Sequence, residues 1–144
     1  MATIIVLTNQ KGGVGKTTTS TALAAGLVSF YHKKVLAIDL DPQGNMGFSL
    51  GLDIEDGRTI HDVMTGRTSA REAIQETDYC DVITSNILLS SAELDFNFSD
   101  RELLLKKSLA PVAADYDFII IDTPPALNIL TVNAYAMANY LIIP

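Results

Sequence analysis

The sequence has few of the residues on which several classes of protein depend. Its 144 residues include one cysteine, Cys80, which excludes an internal disulfide framework and any metal site built from paired Cys-x-x-Cys motifs. No apolar run reaches the roughly 18 residues of a membrane-spanning helix. The N-terminus has neither the basic region nor the cleavage site of a signal peptide. We therefore expect a cytoplasmic protein without a membrane partner.

Basic residues are also scarce. Lys and Arg number 10 against 17 Asp and Glu, which gives a formal net charge of −7. A surface that grips DNA needs Lys and Arg for its phosphate contacts. We expect the paired bases Lys33-Lys34 and Lys106-Lys107 to be solvated surface pairs. The composition therefore disfavours a DNA-binding surface within these residues.

Hydrophobic residues, by contrast, make up 48% of the sequence and occur in short runs. This composition predicts a single globular domain over residues 1–144. Runs rich in Ile and Val occur at 3–8, 34–39, 117–122 and 140–144, with a weaker one at 80–85. They do not alternate with polar residues, as expected for strands buried on both faces of a parallel sheet.

Helical patterns lie between the strands, at 16–30, 59–65, 69–76, 100–110 and 127–138. In the first, Ala22, Leu23, Leu27 and Phe30 recur at helix spacing, and Ser99 is the expected N-cap of the helix at 100–110. The alternation of strands and helices predicts an α/β fold, a three-layer parallel β-sheet flanked by helices with right-handed crossovers.

Residues 10–18, QKGGVGKTT, connect the first strand to the first helix. They nearly match the phosphate-loop pattern G-x-x-x-x-G-K-[ST], but Gln10 replaces the first glycine and Lys11 is an additional lysine. A glycine-rich loop at a helix N-terminus binds anions through backbone N–H groups and the helix dipole. The pattern predicts that Lys16 reaches the β- and γ-phosphates of a nucleotide and that Thr17 ligates Mg²⁺. The alternative is a plain glycine-rich turn, which GKTT directly after a strand disfavours.

Three acids follow predicted strands. Asp39 and Asp41 end the second strand, and Asp122 ends the run FIIID. Because the carboxyl ends of parallel strands lie on one edge, these acids should converge on the phosphate loop. An apolar strand closed by Asp typically supplies the Mg²⁺-side carboxylate of a phosphate-loop NTPase. Asp41 precedes Pro42, which favours an extended backbone at Asp41.

The motifs KGGVGKTT, DLDPQGN and FIIIDTPP together resemble the deviant Walker A, P-loop NTPase-like ATPases of the ParA/MinD superfamily. DPQGN is most similar to the ParA (Soj-like) chromosome and plasmid partitioning ATPases. The resemblance runs from Thr3 to Pro144, with a variable middle from about 50 to 110.

The resemblance implies a role for each matching residue. Lys11 is the signature lysine, which reaches across an ATP-bound homodimer to the partner's nucleotide. Asp41 orients the attacking water, and Thr18 contacts the α-phosphate. The expected catalytic residues are Lys11, Lys16 and Asp41. The expected nucleotide-binding residues are Gly12, Gly13, Val14, Gly15, Lys16, Thr17 and Thr18. The expected metal ligands are Thr17, Asp39 and Asp122, the acids through Mg²⁺-bound waters.

The implied function is a molecular switch that binds and hydrolyses Mg-ATP, with a ParB-like centromere-binding protein as partner. Nonspecific DNA binding, and any nucleoid association, would come from regions absent from this chain. Three alternatives remain open: a MinD-like membrane-associated positioning ATPase, a phosphotransferase or amide ligase of the same superfamily, and a nucleotide-binding fragment without turnover. The motif DPQGN disfavours the MinD-like ATPase, and Lys11 disfavours the phosphotransferase or amide ligase.

The end of the chain gives one further expectation. No helix follows the strand at 140–144, although a parallel sheet normally covers such a strand. We expect a C-terminally truncated chain, the N-terminal part of a longer protein, or an unusually short variant. The strand should pair beside strand 3–8 without an outer neighbour, and we expect self-association through that edge independently of ATP.

His32 and His61 are expected at the surface.

Overall fold

The computed structural model describes residues 1–9, 11–12, 15–55 and 58–144. Within these ranges the strands are β1 (Thr3–Leu7), β2 (Val35–Asp39), β3 (Gln75–Glu76), β4 (Asp81–Ile83), β5 (Phe118–Asp122) and β6 (Tyr140–Ile142). The helices are α1 (Lys16–Tyr31), α2 (Asn45–Ser49), α3 (Ile60–Met64), α4 (Ala70–Ala73), α5 (Ala92–Asp95), α6 (Leu104–Ala113) and α7 (Ile129–Met137). Two 3-10 turns cover Ile87–Ser91 and Arg101–Leu103.

The strands form one sheet in the order β3-β4-β2-β5-β1-β6. All pairings are parallel except that of β3 with β4, which is antiparallel. The predicted α/β sheet flanked by helices is therefore confirmed. The register places Asp122 of β5 beside Asp39 of β2 on one side and beside Leu7 of β1 on the other. Three strands thus end at the same level of the sheet, where the candidate site lies.

The central strands β2 and β5 are apolar along most of their length because both faces of the sheet are covered there. In β2, Leu36 and Ile38 belong to one core, whereas Val35 and Ala37 belong to the other. Helices α3, α4, α6 and α7 contribute side chains to the first core, and α1 and α2 contribute to the second. This alternation is the physical reason why the strands lack the polar positions of a half-exposed sheet.

Several local expectations are wrong. The helix expected at 69–76 ends at Ala73, because Ile74 turns to extended backbone and Gln75 bonds through its side chain to both backbone groups of Asp53. Ser99 is not an N-cap: the helical segment starts with the 3-10 turn after Asp100, and neither that turn nor α6 has a side-chain cap. The helix predicted over 16–30 is confirmed as α1 and includes Phe30, whose side chain is 80% exposed near the helix end.

His61 is also misassigned from the sequence. Its side chain is buried, its Nε2 lies 3.0 Å from Asp95 Oδ2, and its ring packs near that of Phe96. His32 is exposed, as expected, and ends α1 in the left-handed conformation. None of the helices in the described part of the chain is both long enough and apolar enough to cross a bilayer.

Candidate phosphate-binding site

The N-terminus of α1 is open toward the loop that precedes it. Gly15 adopts φ +88°, the left-handed conformation that glycine favours, and no described side chain caps the helix. The first turn contains no acidic residue. Uncapped N–H groups and the positive end of a 16-residue helix make this a suitable site for an anion. Gly13 and Val14, predicted to contact phosphate, lie outside the described residues.

Lys16 and Lys11 occupy different environments. Lys16 is 7% exposed, and its Nζ lies 3.4 Å from the carbonyl oxygen of Lys11. A buried ammonium with so long a contact is poorly solvated, which favours binding of an anion. Lys11 is exposed, and its backbone N–H donates to Asn9 Oδ1 at 2.9 Å.

Thr17 joins the helix to the end of β5. Its hydroxyl donates to Asp122 Oδ2 at 2.6 Å, while Asp122 Oδ1 is buried without a hydrogen-bond partner among the described residues. Burial raises the pKa of Asp122 to about 6, and the hydrogen bond from Thr17 and the charge of Lys16 oppose this rise. A buried carboxylate oxygen without a donor fits the needs of a cation or of its bound water.

Asp39 holds the loop that follows β2. Its two carboxylate oxygens accept from the backbone N–H groups of Asp41, at 2.9 Å, and Met46, at 3.3 Å. Burial and the neighbouring charge of Asp122 raise the pKa of Asp39 well above its usual range. The loop then turns on Asp41, whose Oδ1 accepts from Gln43 N at 3.0 Å. Asp39 thus positions Asp41 as well as adding negative charge near Asp122.

A cleft of about 350 Å³ lies at this edge of the sheet. Its lining residues are Gly12, Gly15, Lys16, Thr17, Thr18, Asp41, Asn45 and Pro125. The structure therefore brings together six residues predicted from the motifs, and it adds Asn45 and Pro125. Both lie inside the quoted motifs DPQGN and DTPP, so motif membership was the signal that could have identified them. Among the described residues, no group of three or more His, Cys, Asp or Glu could hold a metal.

The family follows from comparison with known sequences. The family model described as AAA domain (AAA_31) matches residues 2–144. The chain belongs to this AAA-domain family. It is 45% identical to the chromosome-partitioning ATPase Soj of Treponema pallidum, over all of this chain and 57% of that protein. It is 43% identical to the chromosome partitioning protein ParA of Myxococcus xanthus, over 98% of this chain and 51% of that protein.

The fold of this AAA-domain chain also matches a solved structure. Cobyrinic acid a,c-diamide synthase from Mycobacterium smegmatis, with bound ATP analogue and magnesium, superposes with a TM-score of 0.94. The two chains are 38% identical over all of this chain and 58% of that one. The resemblance to ParA and Soj predicted from the three motifs is confirmed. The chain spans about half the length of the curated relatives it matches.

Proposed function

We propose that the cleft binds Mg-ATP and that the chain is the nucleotide-binding part of a ParA-type ATPase. The observation that carries this proposal is the bond between Thr17 and Asp122, formed beside buried Lys16 at the open N-terminus of α1. The bond joins a hydroxyl of the motif KGGVGKTT to a carboxylate of the motif FIIIDTPP, next to the ammonium of Lys16. The ATP analogue and magnesium in the M. smegmatis protein support the same ligand here.

Different residues of the site bind different parts of the ligand. Backbone N–H groups from Gly12 to Thr18, with the Lys16 ammonium, bind the phosphates, because oriented amides and a buried cation complement their charge. Thr17, Asp122 and Asp39 would hold Mg²⁺, the acids through its bound waters. A bound Mg²⁺ would supply positive charge that offsets the charge of the phosphates. Asp122 Oδ1, buried without a donor among the described residues, fits this assignment.

Turnover requires a positioned water and added positive charge. We assign the orientation of the attacking water to Asp41. This residue lines the cleft, and Asp39 fixes its backbone. We assign the charge to Lys11 of a second subunit, because this side chain is exposed at the loop. Catalysis of this kind depends on positioning and charge neutralisation. ATP would then join two subunits and hydrolysis would release them.

The relatives support a role in partition. ParA of M. xanthus and Soj of T. pallidum are named for chromosome partitioning, so we propose that this ATPase acts in partition of a chromosome or plasmid. A centromere-binding protein of the ParB type would stimulate it. DNA contacts would lie outside these residues, since the net charge here is −7.

A second candidate is an amide-forming ligase that uses ATP. The observation in its favour is the name of the M. smegmatis protein, a diamide synthase. Such an enzyme transfers phosphoryl to a small substrate, so it should release little phosphate from ATP alone. The ParA-type ATPase should release phosphate without any acceptor, and this difference separates the two.

Calorimetric titration with Mg-ATP tests the proposal. We expect Lys16→Ala to weaken binding by at least about tenfold, because a charge-assisted contact is lost from a buried site. Lys11→Ala should bind like the unmutated chain, since its target is the partner's nucleotide. Lys33→Ala, exposed at the far end of α1, is the matched control. Equal affinities in Lys16→Ala and Lys33→Ala, or no binding by the unmutated chain, would show the proposal to be wrong.

A further inference from the structure

The N-terminus of α7 is closed by a residue from a distant part of the chain. Glu93 Oε1 accepts from the backbone N–H of Ile129 at 2.6 Å. Asn128 Oδ1 accepts from Leu130 N and Thr131 N, at 3.0 and 3.3 Å. The first three N–H groups of the helix are thus all satisfied. A carboxylate at this position also complements the helix dipole, which makes the Glu93 contact stronger than a neutral hydrogen bond.

This helix begins close to the phosphate-binding cleft. The segment from Thr123 to Asn128 leaves Asp122 and carries Pro125, which lines the cleft. At its start, Thr123 is held by its hydroxyl, which donates to the Leu7 carbonyl at 2.7 Å. At its end, Glu93 and Asn128 fix the first turn of α7. The position of Pro125 therefore depends on both anchors.

Glu93 belongs to a short helix that is itself held in place. Asp95 Oδ2 accepts from Ser91 Oγ at 2.6 Å and lies 3.0 Å from Nε2 of buried His61. Phe96, directly after α5, is buried in the core. A four-residue helix has little stability of its own. Its orientation, and so that of Glu93, is set by these contacts with α3 and with the core.

The chain that precedes Glu93 also packs against the loop that carries Asp41 and Asn45. A Cβ built on Gly44 would lie 2.6 Å from the Ser85 carbonyl oxygen, so the loop of Asp41 and Asn45 packs closely on Ser85. Asn86 Nδ2 then donates to the Ile54 carbonyl at 2.9 Å. Residues 85–95, which we name the bridging segment, therefore contact the loop after β2 at one end and α7 at the other.

We propose that Glu93 is a positioning residue of the phosphate-binding cleft. It fixes the first turn of α7 and thereby the wall that carries Pro125 beside Asp122. It does not touch the nucleotide and acts through the backbone of residues 123–129. This proposal rests on the proposed function, because the wall matters only if the cleft binds and turns over Mg-ATP.

Two measurements on the same variants test it. In Glu93→Ala, the amide of Ile129 loses its acceptor, so its hydrogen exchange measured by NMR should speed up about tenfold. Glu93→Gln retains an acceptor oxygen and should be intermediate. Glu102→Ala, an exposed glutamate in the neighbouring 3-10 turn, should leave this exchange rate unchanged.

The second measurement is steady-state hydrolysis of Mg-ATP. A displaced wall should lower kcat of Glu93→Ala by about tenfold or more, because small errors of position are costly in phosphoryl transfer. KM should change less than kcat, and Glu93→Gln should recover part of the lost kcat. Because a smaller folded fraction would also lower the apparent kcat at constant KM, kcat is calculated per folded molecule, with the folded fraction of each variant taken from its urea unfolding curve.

The outcomes separate the two proposals. Unchanged Ile129 exchange in Glu93→Ala, or faster exchange with unchanged kcat, overturns the role of Glu93 while the proposed function stands. No hydrolysis by the unmutated chain contradicts the proposed function itself, whichever way the exchange result falls. Faster exchange together with a lowered, partly rescued kcat supports both.

Discussion

Gly44 sits at a point where two features of the site exclude a side chain. Its φ is +68°, in the left-handed region, and an added Cβ would lie 2.6 Å from a backbone oxygen of Ser85. The loop that carries Asp41 can approach the bridging segment closely only because residue 44 is glycine. Gly51 has nearly the same conformation, with φ +69°, but open space around it.

We expect Gly44→Ala to lower the free energy of unfolding by more than Gly51→Ala does. The left-handed conformation costs each alanine roughly 1–2 kcal/mol, and Gly44→Ala must in addition displace the backbone of Ser85. Urea unfolding of both variants measures the difference. An equal loss of free energy of unfolding in both variants would mean that the close approach to Ser85 does not destabilise Gly44→Ala further.

Asp122 links the site to stability through its protonation. Burial raises its pKa from 3.8 in the reference state to about 6 in the folded chain, so the folded state binds the proton more tightly. The free energy of unfolding therefore falls as pH rises from about 4 to about 6, and the loss persists above that range. Without a cation, the ionised site destabilises the fold.

We expect Asp122→Asn to raise the free energy of unfolding at pH 7.5 by about 2 kcal/mol in the presence of a chelator. The free energy of unfolding of this variant should also change less between pH 4 and 6. A residual slope should remain from Asp39, whose pKa is raised as well. Chemical denaturation across this pH range gives both values. Asp78→Asn, at an exposed position, is the control, and an Asp122→Asn profile that matches it would contradict the prediction.

At the level of elements, the strands were predictable and the helix ends were not. All four strong apolar runs and the weaker one became strands. In the central strands β2 and β5, burial on both faces explains the apolar pattern. Helix ends depend on local bonds that a hydrophobic pattern does not contain. The cap expected at Ser99 is absent, whereas α7 has a full cap at Asn128.

We expect Asn128→Ala to lower the free energy of unfolding by about 1 kcal/mol, the usual cost of losing an N-cap. The side chain of Asn128 accepts from two backbone N–H groups, and Thr131 returns the contact by accepting from Asn128 N at 2.9 Å. Thermal or urea unfolding gives the value. Asn97→Ala, exposed in a loop, is the control, and a loss no larger than in that variant would rule out a stabilising cap.

For the molecule as a whole, the exposed edge of β6 bears on how copies of the chain assemble. It ends the sheet, bonded to β1 on one side, and this placement agrees with the sequence-based expectation. Tyr140, Leu141 and Ile143 are each more than half exposed. From residue 123 to residue 144 the sequence contains no Asp, Glu, Lys or Arg, so the edge lacks the charges that usually prevent pairing.

We expect this chain to self-associate without nucleotide at tens of micromolar, with β6 edges meeting between copies. Leu141→Lys should remain monomeric, because a lysine blocks edge pairing. Phe30→Lys, at an exposed apolar position on α1, should associate like the unmutated chain. Light scattering gives the masses, and a monomeric unmutated chain would sink the prediction.

The sequence by itself predicted the sheet and placed Asp39 and Asp122 at strand ends, because strand burial imposes a local pattern of residue types. The contact of Glu93 with α7 was decided only by the tertiary structure. So was the burial of His61, whose partner Asp95 lies 34 positions away. Contacts of this kind depend on strand register and on how distant segments pack, which no local pattern specifies.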